Sequence, residues 1–434
     1  MKSKAYRATA VNRVDAGRVS QGHPGEPLTI GLDIGKYRIL AVARWPDAQF
    51  ERPWLVANPE QLPDLVALLR QLGQQHALTV GLEPSGTYGD PARQALTEAG
   101  WTVQRVSPKA AHDYAEVFDG VPSQHDGKDA AVVAELVALG KAVPWPYVAK
   151  GVWEQELVYW VEWLDAQRQI YGMWLNRLEA FLARHWPEVT RLLKLSSATL
   201  LRLLARYGSP AALVADPEAA VWLRHWGKHF LRAPKVAQVL ASAQTTQGVR
   251  LGEVEQRRLQ EYAQQALAAR REVRRSQRQL RALAQQQPVL QAQGRAVGVP
   301  TACVLWASLG DPRQYSSGPA YRKAMGLNLV EQSSGEYHGE LRISKRGQPR
   351  VRRWLYLAVL RLIRREGVRD WYRAKKEQGP RATGKALVGV MRKLALGLHR
   401  VAVTGEAFEP RRLFPGVRSG RKPAPRSGRG GGAR

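Results

Sequence analysis

The chain has 434 residues, and its 66 Lys and Arg against 37 Asp and Glu give a net charge of +29. Such an excess indicates a polyanionic partner, and nucleic acid is the usual one. The only cysteine, Cys303, excludes internal disulfides and sites built from several thiolates, and no apolar run is long enough to span a membrane.

Residues 1–26 are polar, with five Lys or Arg, and predict a disordered basic arm. From residue 27 onward, short apolar runs rich in β-branched residues alternate with amphipathic stretches. Three successive strands followed by alternating helices and strands indicate an α/β domain with a mixed sheet. We predict strands over 28–34, 37–45, 50–57, 77–83 and 101–106, and helices over 59–73, 90–99 and 130–139.

Two acids stand near the carboxyl ends of predicted strands, where ligand sites of open α/β sheets gather. Asp33 lies in the first strand, and Glu83 closes a later one. Asp126 and Asp129 are three residues apart at the start of a predicted helix. Residues with that spacing share one helix face, so both carboxylates can point at one spot.

Helical periodicity dominates residues 147–288, with long helices predicted at about 152–185 and 253–286. The apolar spacing of the second suits an antiparallel coiled-coil pair with the first. A spacer and dimerisation arm is one interpretation, and a plain helical bundle is equally consistent with the pattern.

The stretch 341–400 contains eighteen Lys or Arg against three acids, several of them on predicted helices. A phosphate-binding face is the natural interpretation. After Glu409 the tail has eight basic residues and no acid, which predicts disorder and nonspecific contact with nucleic acid. The expected nucleic-acid-binding residues are Arg342, Lys345, Arg346, Arg350, Arg352 and Arg353.

Four carboxylates with neither a cysteine nor a clear histidine ligand suit hard, oxygen-loving cations, so we expect Mg²⁺ or Mn²⁺. Like charges cannot converge without such cations, and two ions about 3.5–4 Å apart would support phosphoryl transfer. A lone acid after a strand is usually a turn residue. The combination inside a strongly basic chain favours a nuclease-type site.

A second class competes for the first acid. Residues 32–35, Leu-Asp-Ile-Gly, also resemble the first phosphate loop of the actin-like sugar kinases. Those enzymes need a second acidic, glycine-rich phosphate loop and an adenosine motif, and neither is found. A charge of +29 also suits no small-sugar kinase.

The order of these residues, over about 27–405, resembles the DEDD insertion-sequence transposases of the one-hundred-and-ten insertion-sequence family, which includes Piv-type DNA invertases and bridge-RNA-guided recombinases. The matching stretches are Gly-Leu-Asp-Ile-Gly at 31–35, Leu-Glu-Pro-Ser-Gly-Thr-Tyr at 82–88, Asp-Gly-Lys-Asp-Ala-Ala at 126–131, Gln-Ser-Ser-Gly at 332–335 and Ile-Ser-Lys-Arg-Gly at 343–347. Gln124-His125 departs from the Lys-Thr that often precedes the first helical acid.

The resemblance implies that Asp33, Glu83, Asp126 and Asp129 are the metal-binding acids of a RuvC-like, RNase H-fold domain. It also implies that Ser334 attacks a DNA phosphate and forms a phosphoserine link. The serine and acids would come from different chains of a homodimer that pairs into a tetramer. The implied partners are double-stranded donor and target DNA and a noncoding bridge RNA. A hydrolytic RNase H-fold nuclease, resembling a Holliday-junction resolvase, is the alternative.

We therefore expect an α/β RuvC-like domain, a helical coiled-coil middle and a mostly helical transposase domain. No secretory signal pattern opens the chain, so a cytoplasmic location is expected, with nucleoid association when active. The predicted divisions are 1–26 for the arm, 27–146 for the catalytic domain, 147–288 for the coiled-coil region, 289–408 for the transposase domain and 409–434 for the tail.

Overall fold

The computed structural model describes residues 8–119, 126–331, 333–334, 337–339, 341–377, 379 and 382–415, with the backbone alone at 333–334 and 337–338. The chain divides into two compact units, residues 1–149 and 150–434. The strands are β1 (Thr9–Ala10), β2 (Leu28–Ile34), β3 (Arg38–Arg44), β4 (Trp54–Ala57), β5 (Leu78–Leu82), β6 (Thr102–Arg105), β7 (Val143–Pro144), β8 (Leu329–Val330), β9 (Ser333–Ser334), β10 (Tyr337–His338) and β11 (Arg342–Ile343).

Helices flank the sheet in the first unit and make up most of the second. They are α1 (Ala16–Val19), α2 (Leu62–Leu72), α3 (Asp90–Glu98), α4 (Pro108–Asp119), α5 (Asp126–Ala138), α6 (Val152–His185), α7 (Val189–Leu192), α8 (Ala198–Tyr207), α9 (Pro210–Ala215), α10 (Ala219–Gly227), α11 (Ala233–Gln244), α12 (Glu253–Gln285), α13 (Pro288–Val297), α14 (Val299–Leu309), α15 (Gly318–Ala324), α16 (Pro349–Leu362), α17 (Val368–Lys376), α18 (Ala382–Thr404) and α19 (Pro410–Leu413). None of the helices among the described residues combines the length and apolar character that crossing a membrane requires.

The sheet of the first unit has seven strands in the order β1-β4-β3-β2-β5-β6-β7. Strands β2, β3 and β4 pair antiparallel, whereas β5 lies parallel to β2 and β6 parallel to β5. The predicted mixed α/β sheet is therefore confirmed. This topology fits the RuvC-like, RNase H-fold domain that the sequence resemblance implied, and the second unit confirms the prediction of a mostly helical remainder.

Two glycines let helix α5 lie directly on the sheet. A Cβ atom on Gly31 of β2 would lie 2.0 Å from the carbonyl oxygen of Ala130 and 2.5 Å from the amide nitrogen of Ala134. A Cβ on Gly81 of β5 would lie 2.3 Å from Cγ2 of Val137. Since strand side chains alternate between faces, Asp33 projects from the same face of β2 as Gly31. The acid is thereby directed towards α5.

The prediction that the N-terminal arm is disordered is wrong for residues 8–26. Strand β1 pairs with β4, and Val11 and Val19 are buried in the core of the first unit. The imidazole of His76 is 2.8 Å from the carbonyl oxygen of Glu26 and 2.9 Å from Oγ of Ser20. The prediction failed because it rested on the polar composition of the arm as a whole. The two buried valines attach the arm to the core of the sheet. Residues 1–7 lie outside the described residues.

The two long helices α6 and α12, at the predicted positions, pack antiparallel in the second unit. Trp153 Nε1 donates to the carbonyl oxygen of Leu283 at 3.2 Å, near the start of one helix and the end of the other. Further along α6, the rings of Trp174 and Tyr262 lie 5.2 Å apart. Supercoiling of this pair and its use in dimerisation stay predictions.

Two hydrophobic clusters form at opposite ends of the α6–α12 pair. One contains Leu182 and Leu259 and is completed by α7–α11. The other contains Leu157 and Leu280 and is continuous with the core of α13–α18. The predicted 288/289 division falls inside the 150–434 unit and stays a prediction.

The prediction that the tail is disordered from residue 409 is wrong for its first residues. Helix α19 covers Pro410–Leu413, and Phe414 is buried with its ring 5.5 Å from that of Trp371. The side chain of Phe414 attaches this segment to the core, and the prediction missed it because it was based on the many charged residues around it. Residues 416–434 lie outside the described part of the chain.

Candidate active site and nucleic-acid interface

The four predicted acids of the first unit lie at the same edge of its sheet. Leu32 of β2 and Leu82 of β5 are register partners in parallel strands, so Asp33 and Glu83 follow at neighbouring positions. Asp126 and Asp129 occupy the first turn of α5, the helix that Gly31 admits against β2. The close packing of α5 on β2 therefore places the two acids of the first helical turn beside the two acids at the strand ends.

Negative charges within the cluster raise the pKa of two of its carboxyl groups. Burial raises the pKa of Asp33 to about 6, and the negative charges of Asp129, Asp126 and Glu83 contribute in the same direction, against an opposing effect of Arg38. Burial also raises the pKa of Glu83, again with a contribution from Asp129. A cluster of this kind binds cations because a positive charge relieves the mutual repulsion.

An arginine that sequence reasoning missed already lies at this cluster. Arg38, the first residue of β3, places Nη2 2.6 Å from Oδ2 of Asp126. Its side chain is 66% exposed and that of Asp126 is 45% exposed, so the pair is open to competitors from solvent. The signal available in the sequence was the short turn at 35–37, which returns the chain beside Asp33.

A buried lysine anchors the start of α5. Lys128 lies between the two helical acids, its side chain is 1% exposed, and its Nζ is 2.6 Å from Oδ1 of Asp119 at the end of α4. A lysine is rarely buried unless its charge is paired. This pair links the last residue of α4 to the first turn of α5. It therefore restrains the turn that carries Asp126 and Asp129.

The chemistry of the donor set fits a hard divalent cation. All four candidate ligands are carboxylates, and oxygen ligands are those that Mg²⁺ and Mn²⁺ prefer. Among the described residues, no three His, Cys, Asp or Glu side chains are close enough to hold one ion together. An ion bound here must therefore draw the carboxylates inward, and it must compete with Arg38 for Asp126.

Ser334 lies in the second unit, on a small pair of nested hairpins. Strand β9, Ser333–Ser334, pairs antiparallel with β10, and β8 pairs antiparallel with β11 outside it. Ser334 is the register partner of Tyr337. Gln332 and Gly335, which complete the predicted serine motif, lie outside the described residues. The predicted nucleophile and the four acids therefore belong to different units.

The predicted phosphate-binding residues fall into two groups. Arg342, Lys345 and Arg346 lie on β11 and the following turn, and all three are exposed. The three predicted arginines at the start of α16 instead make contacts within the unit. Arg350 Nη2 donates to Oγ of Ser308 at 3.2 Å, Arg352 Nη1 donates to the carbonyl oxygen of Gly347 at 2.8 Å, and Arg353 Nη2 donates to Oδ1 of Asp165 at 2.7 Å. Sequence reasoning missed these acceptors because they are distant in the chain or belong to the backbone.

Asp165 is the acceptor that attaches the basic helix α16 to α6. Its side chain is 10% exposed, and the same Oδ1 that accepts from Arg353 accepts from Trp354 Nε1 at 2.7 Å. Arg350 Nε lies 3.9 Å from the other carboxylate oxygen. One buried charge therefore fixes the orientation of a helix that carries three of the predicted phosphate contacts.

Replacing Asp165 with Asn is expected to lower the free energy of unfolding by about 2–3 kcal/mol, because it leaves two arginines without their buried counter-charge. The partial exposure of Arg353 places the loss below that of a fully buried pair. Urea unfolding followed by tryptophan fluorescence measures the change. The matched control is Glu179→Gln, an exposed acid further along α6, expected to shift stability by less than about 0.5 kcal/mol. Equal effects of the two variants would contradict the anchoring role.

Two separate segments of the chain match models of related transposase families. A DEDD transposase model of the IS110 type matches residues 30–146, the segment from β2 through α5 that contains all four acids. The model of the IS116/IS110/IS902 transposase family matches residues 293–374, from α13 through α17, and includes Ser334 and the basic residues. The search of curated proteins gives no match. With one model on each unit, in the order that the acids and the serine hairpin had indicated, the matches support a DEDD transposase of the IS110 family.

Proposed function

We propose that this transposase cuts and rejoins DNA through a phosphoserine intermediate on Ser334, with the four carboxylates of the first unit holding Mg²⁺ or Mn²⁺. The placement of Asp33, Glu83, Asp126 and Asp129 at one edge of the sheet is the observation that carries the proposal. The exposed cations beside the serine hairpin support it, since they suit a phosphate backbone.

Each group has a distinct task in this mechanism. The Ser334 hydroxyl gives up its proton and its oxygen forms a bond to phosphorus, while the phosphorus–oxygen bond to the leaving sugar breaks and that sugar oxygen takes a proton. Reversal with a different sugar hydroxyl rejoins the strand without an external energy source. A bound divalent ion would supply charge neutralisation at the phosphate. Arg342, Lys345 and Arg346 hold the DNA backbone near the serine.

Hydrolysis by metal-activated water is the alternative mechanism. The specific observation in its favour is that all four acids lie within the first unit, whereas the serine lies in the second. A nuclease of this type would need no serine and would leave no protein on the DNA. Detection of a protein–DNA adduct separates the two mechanisms.

Arg38 gives a test of the metal site that does not depend on activity. Removing its charge in Arg38→Gln frees Asp126, so half-saturation should occur at about two- to five-fold lower Mn²⁺, the effect of an exposed ion pair. Electron paramagnetic resonance of free Mn²⁺ measures the binding directly. The control Arg70→Gln, an exposed change on α2, should leave it unaltered. Unchanged binding in Arg38→Gln, or undiminished binding in Asp126→Asn, would argue against Asp126 as a ligand.

The proposal extends to a noncoding bridge RNA as guide and to a homodimer that assembles into a tetramer. The charge of +29 supports a large nucleic-acid partner, although charge alone suits RNA and DNA backbones equally. Sequencing the nucleic acid that copurifies with the protein is expected to yield one discrete, structured RNA. Removing it should abolish site-specific cleavage and lower the mass measured by light scattering. A heterogeneous RNA pool whose removal changes neither property would contradict the guided mechanism.

A further inference from the structure

A cleft of about 740 Å³ opens in the second unit between the outer hairpin and one face of α18. Its volume lies in the range of about 300–1,000 Å³ that small-ligand sites occupy. The helix contributes residues three and four apart, which share one face. The lining residues are Leu329, Val330, Leu341, Arg342, Ile343 and Lys345 on the hairpin side, and Gly384, Lys385, Val388, Gly389 and Arg392 on the helix.

The hairpin does not collapse onto the helix, and its apolar side chains stay accessible. Leu329 is 42% exposed, Val330 43% and Leu341 53%. Gly384 leaves open space on the opposite wall, where a Cβ atom would meet no atom within 4 Å. Apolar surface held open in this way is characteristic of a binding site.

The rim of the cleft determines what kind of ligand it suits. Among the described lining residues four are cationic and none is acidic. A second copy of this chain would have to present acidic residues to the rim, and acids are the minority in it, 37 Asp and Glu against 66 Lys and Arg. The chain's own tail after Glu409 is a poor match for the same reason, because its eight charged residues are all basic. A ligand with a flat apolar body and an anionic end fits best.

We propose that the cleft is a nucleotide site that takes one unpaired base of the DNA strand beside the bond to be cut. The base packs on Leu329, Val330 and Leu341, and its phosphate lies on the basic rim. Val330 precedes Ser334 by four residues, a reach of at most about 14 Å along an extended chain. This inference rests on the proposed function, to which it adds a contact with a DNA base besides those with the DNA backbone.

Filling the cleft from Gly384 tests this proposal without endangering the fold. Leucine at 384 projects into open space and replaces a residue that disfavours helix, so Gly384→Leu should unfold no more easily than the wild type. The matched control is Gly172→Leu in α6, where a side chain also meets open space. Thermal unfolding of both variants confirms that they are folded.

Saturation-transfer NMR with deoxyadenosine monophosphate as the probe measures occupancy of the cleft. Base-proton signals are expected with the wild type and with Gly172→Leu, and they should be lost in Gly384→Leu. Deoxyribose 5-phosphate, which lacks a base, should displace the probe poorly. Equal signals in Gly384→Leu and wild type, or equally good displacement by the base-free sugar phosphate, would overturn the site. Clearly stronger saturation of adenosine monophosphate would overturn the assignment to DNA.

Three further results complete the test, and the first and last of them separate this inference from the function on which it rests. If the wild type cleaves DNA and forms the adduct but shows no base-proton signal, the cleft proposal fails and the proposed function stands. If Gly384→Leu changes the oligomeric mass measured by light scattering, the cleft is a protein interface and the nucleotide site is overturned. Base-specific binding in a protein that neither cleaves DNA nor forms an adduct would uphold the cleft and contradict the phosphoserine mechanism.

Discussion

Ser334→Ala is expected to abolish the denaturation-resistant protein–DNA adduct and strand exchange together. The serine oxygen is the atom that stores the phosphodiester energy, and alanine has no group that can replace it. Because the backbone of β9 pairs with β10 whatever the side chain, the variant should keep its fold and its metal binding. The adduct is measured by denaturing electrophoresis of labelled DNA after reaction with Mg²⁺.

The neighbouring serines provide the controls for this experiment. Ser333→Ala should be milder, since the resemblance to the family places the nucleophile at the second serine of the motif. Ser344→Ala, near the basic turn, should retain the adduct. An adduct that survives in Ser334→Ala but disappears in Ser333→Ala or Ser344→Ala would move the nucleophile. Full cleavage in Ser334→Ala, with no adduct in any variant, would establish the hydrolytic mechanism instead.

Asp33→Asn should reduce metal-dependent cleavage by about 10³-fold or more while leaving nucleic-acid binding largely intact. The charge of Asp33 interacts with those of the other three acids, so it helps to hold an ion in the cluster. The amide keeps the shape of the side chain and loses the charge. Cleavage of labelled DNA and an electrophoretic binding assay measure the two properties separately.

Asp64→Asn is the matched control, because Asp64 is an exposed acid in the first turn of α2. This variant should cleave like the wild type. Undiminished wild-type cleavage in excess chelator would contradict the metal dependence itself. Loss of DNA binding in Asp33→Asn together with loss of cleavage would mean that the carboxylate supports the fold or the substrate rather than the reaction.

Local patterns in the sequence predicted the scaffold of the first unit well. The strand at 28–34 agrees residue for residue with β2, because its apolar and β-branched residues end at a glycine. The helix predicted from residue 130 begins at Asp126, since polar first turns carry no apolar periodicity. Helix α4 was missed because Ala111 and Ala115 are its only buried residues, and alanine is a weak hydrophobic signal.

Contacts between distant residues are what the sequence could not reveal. Asp165 and Arg353 are separated by 188 positions, so the sequence presented a basic helix without its internal counter-charge. The Arg38–Asp126 pair depends on where α5 lands on the sheet, which no local pattern specifies. Local periodicity therefore located the candidate acids, whereas tertiary packing decided which cations they meet.

The close contact of α5 with Gly31 and Gly81 limits how this protein tolerates mutation. A single methyl group at Gly31 would overlap backbone atoms of α5, which have no rotamer to escape into. The helix would have to lift, and Asp126 and Asp129 would lift with it. Copies of the gene can therefore be silenced by a change to alanine at a position that bears no reactive group, so the mutational target for inactivation is larger than the set of residues that perform the reaction.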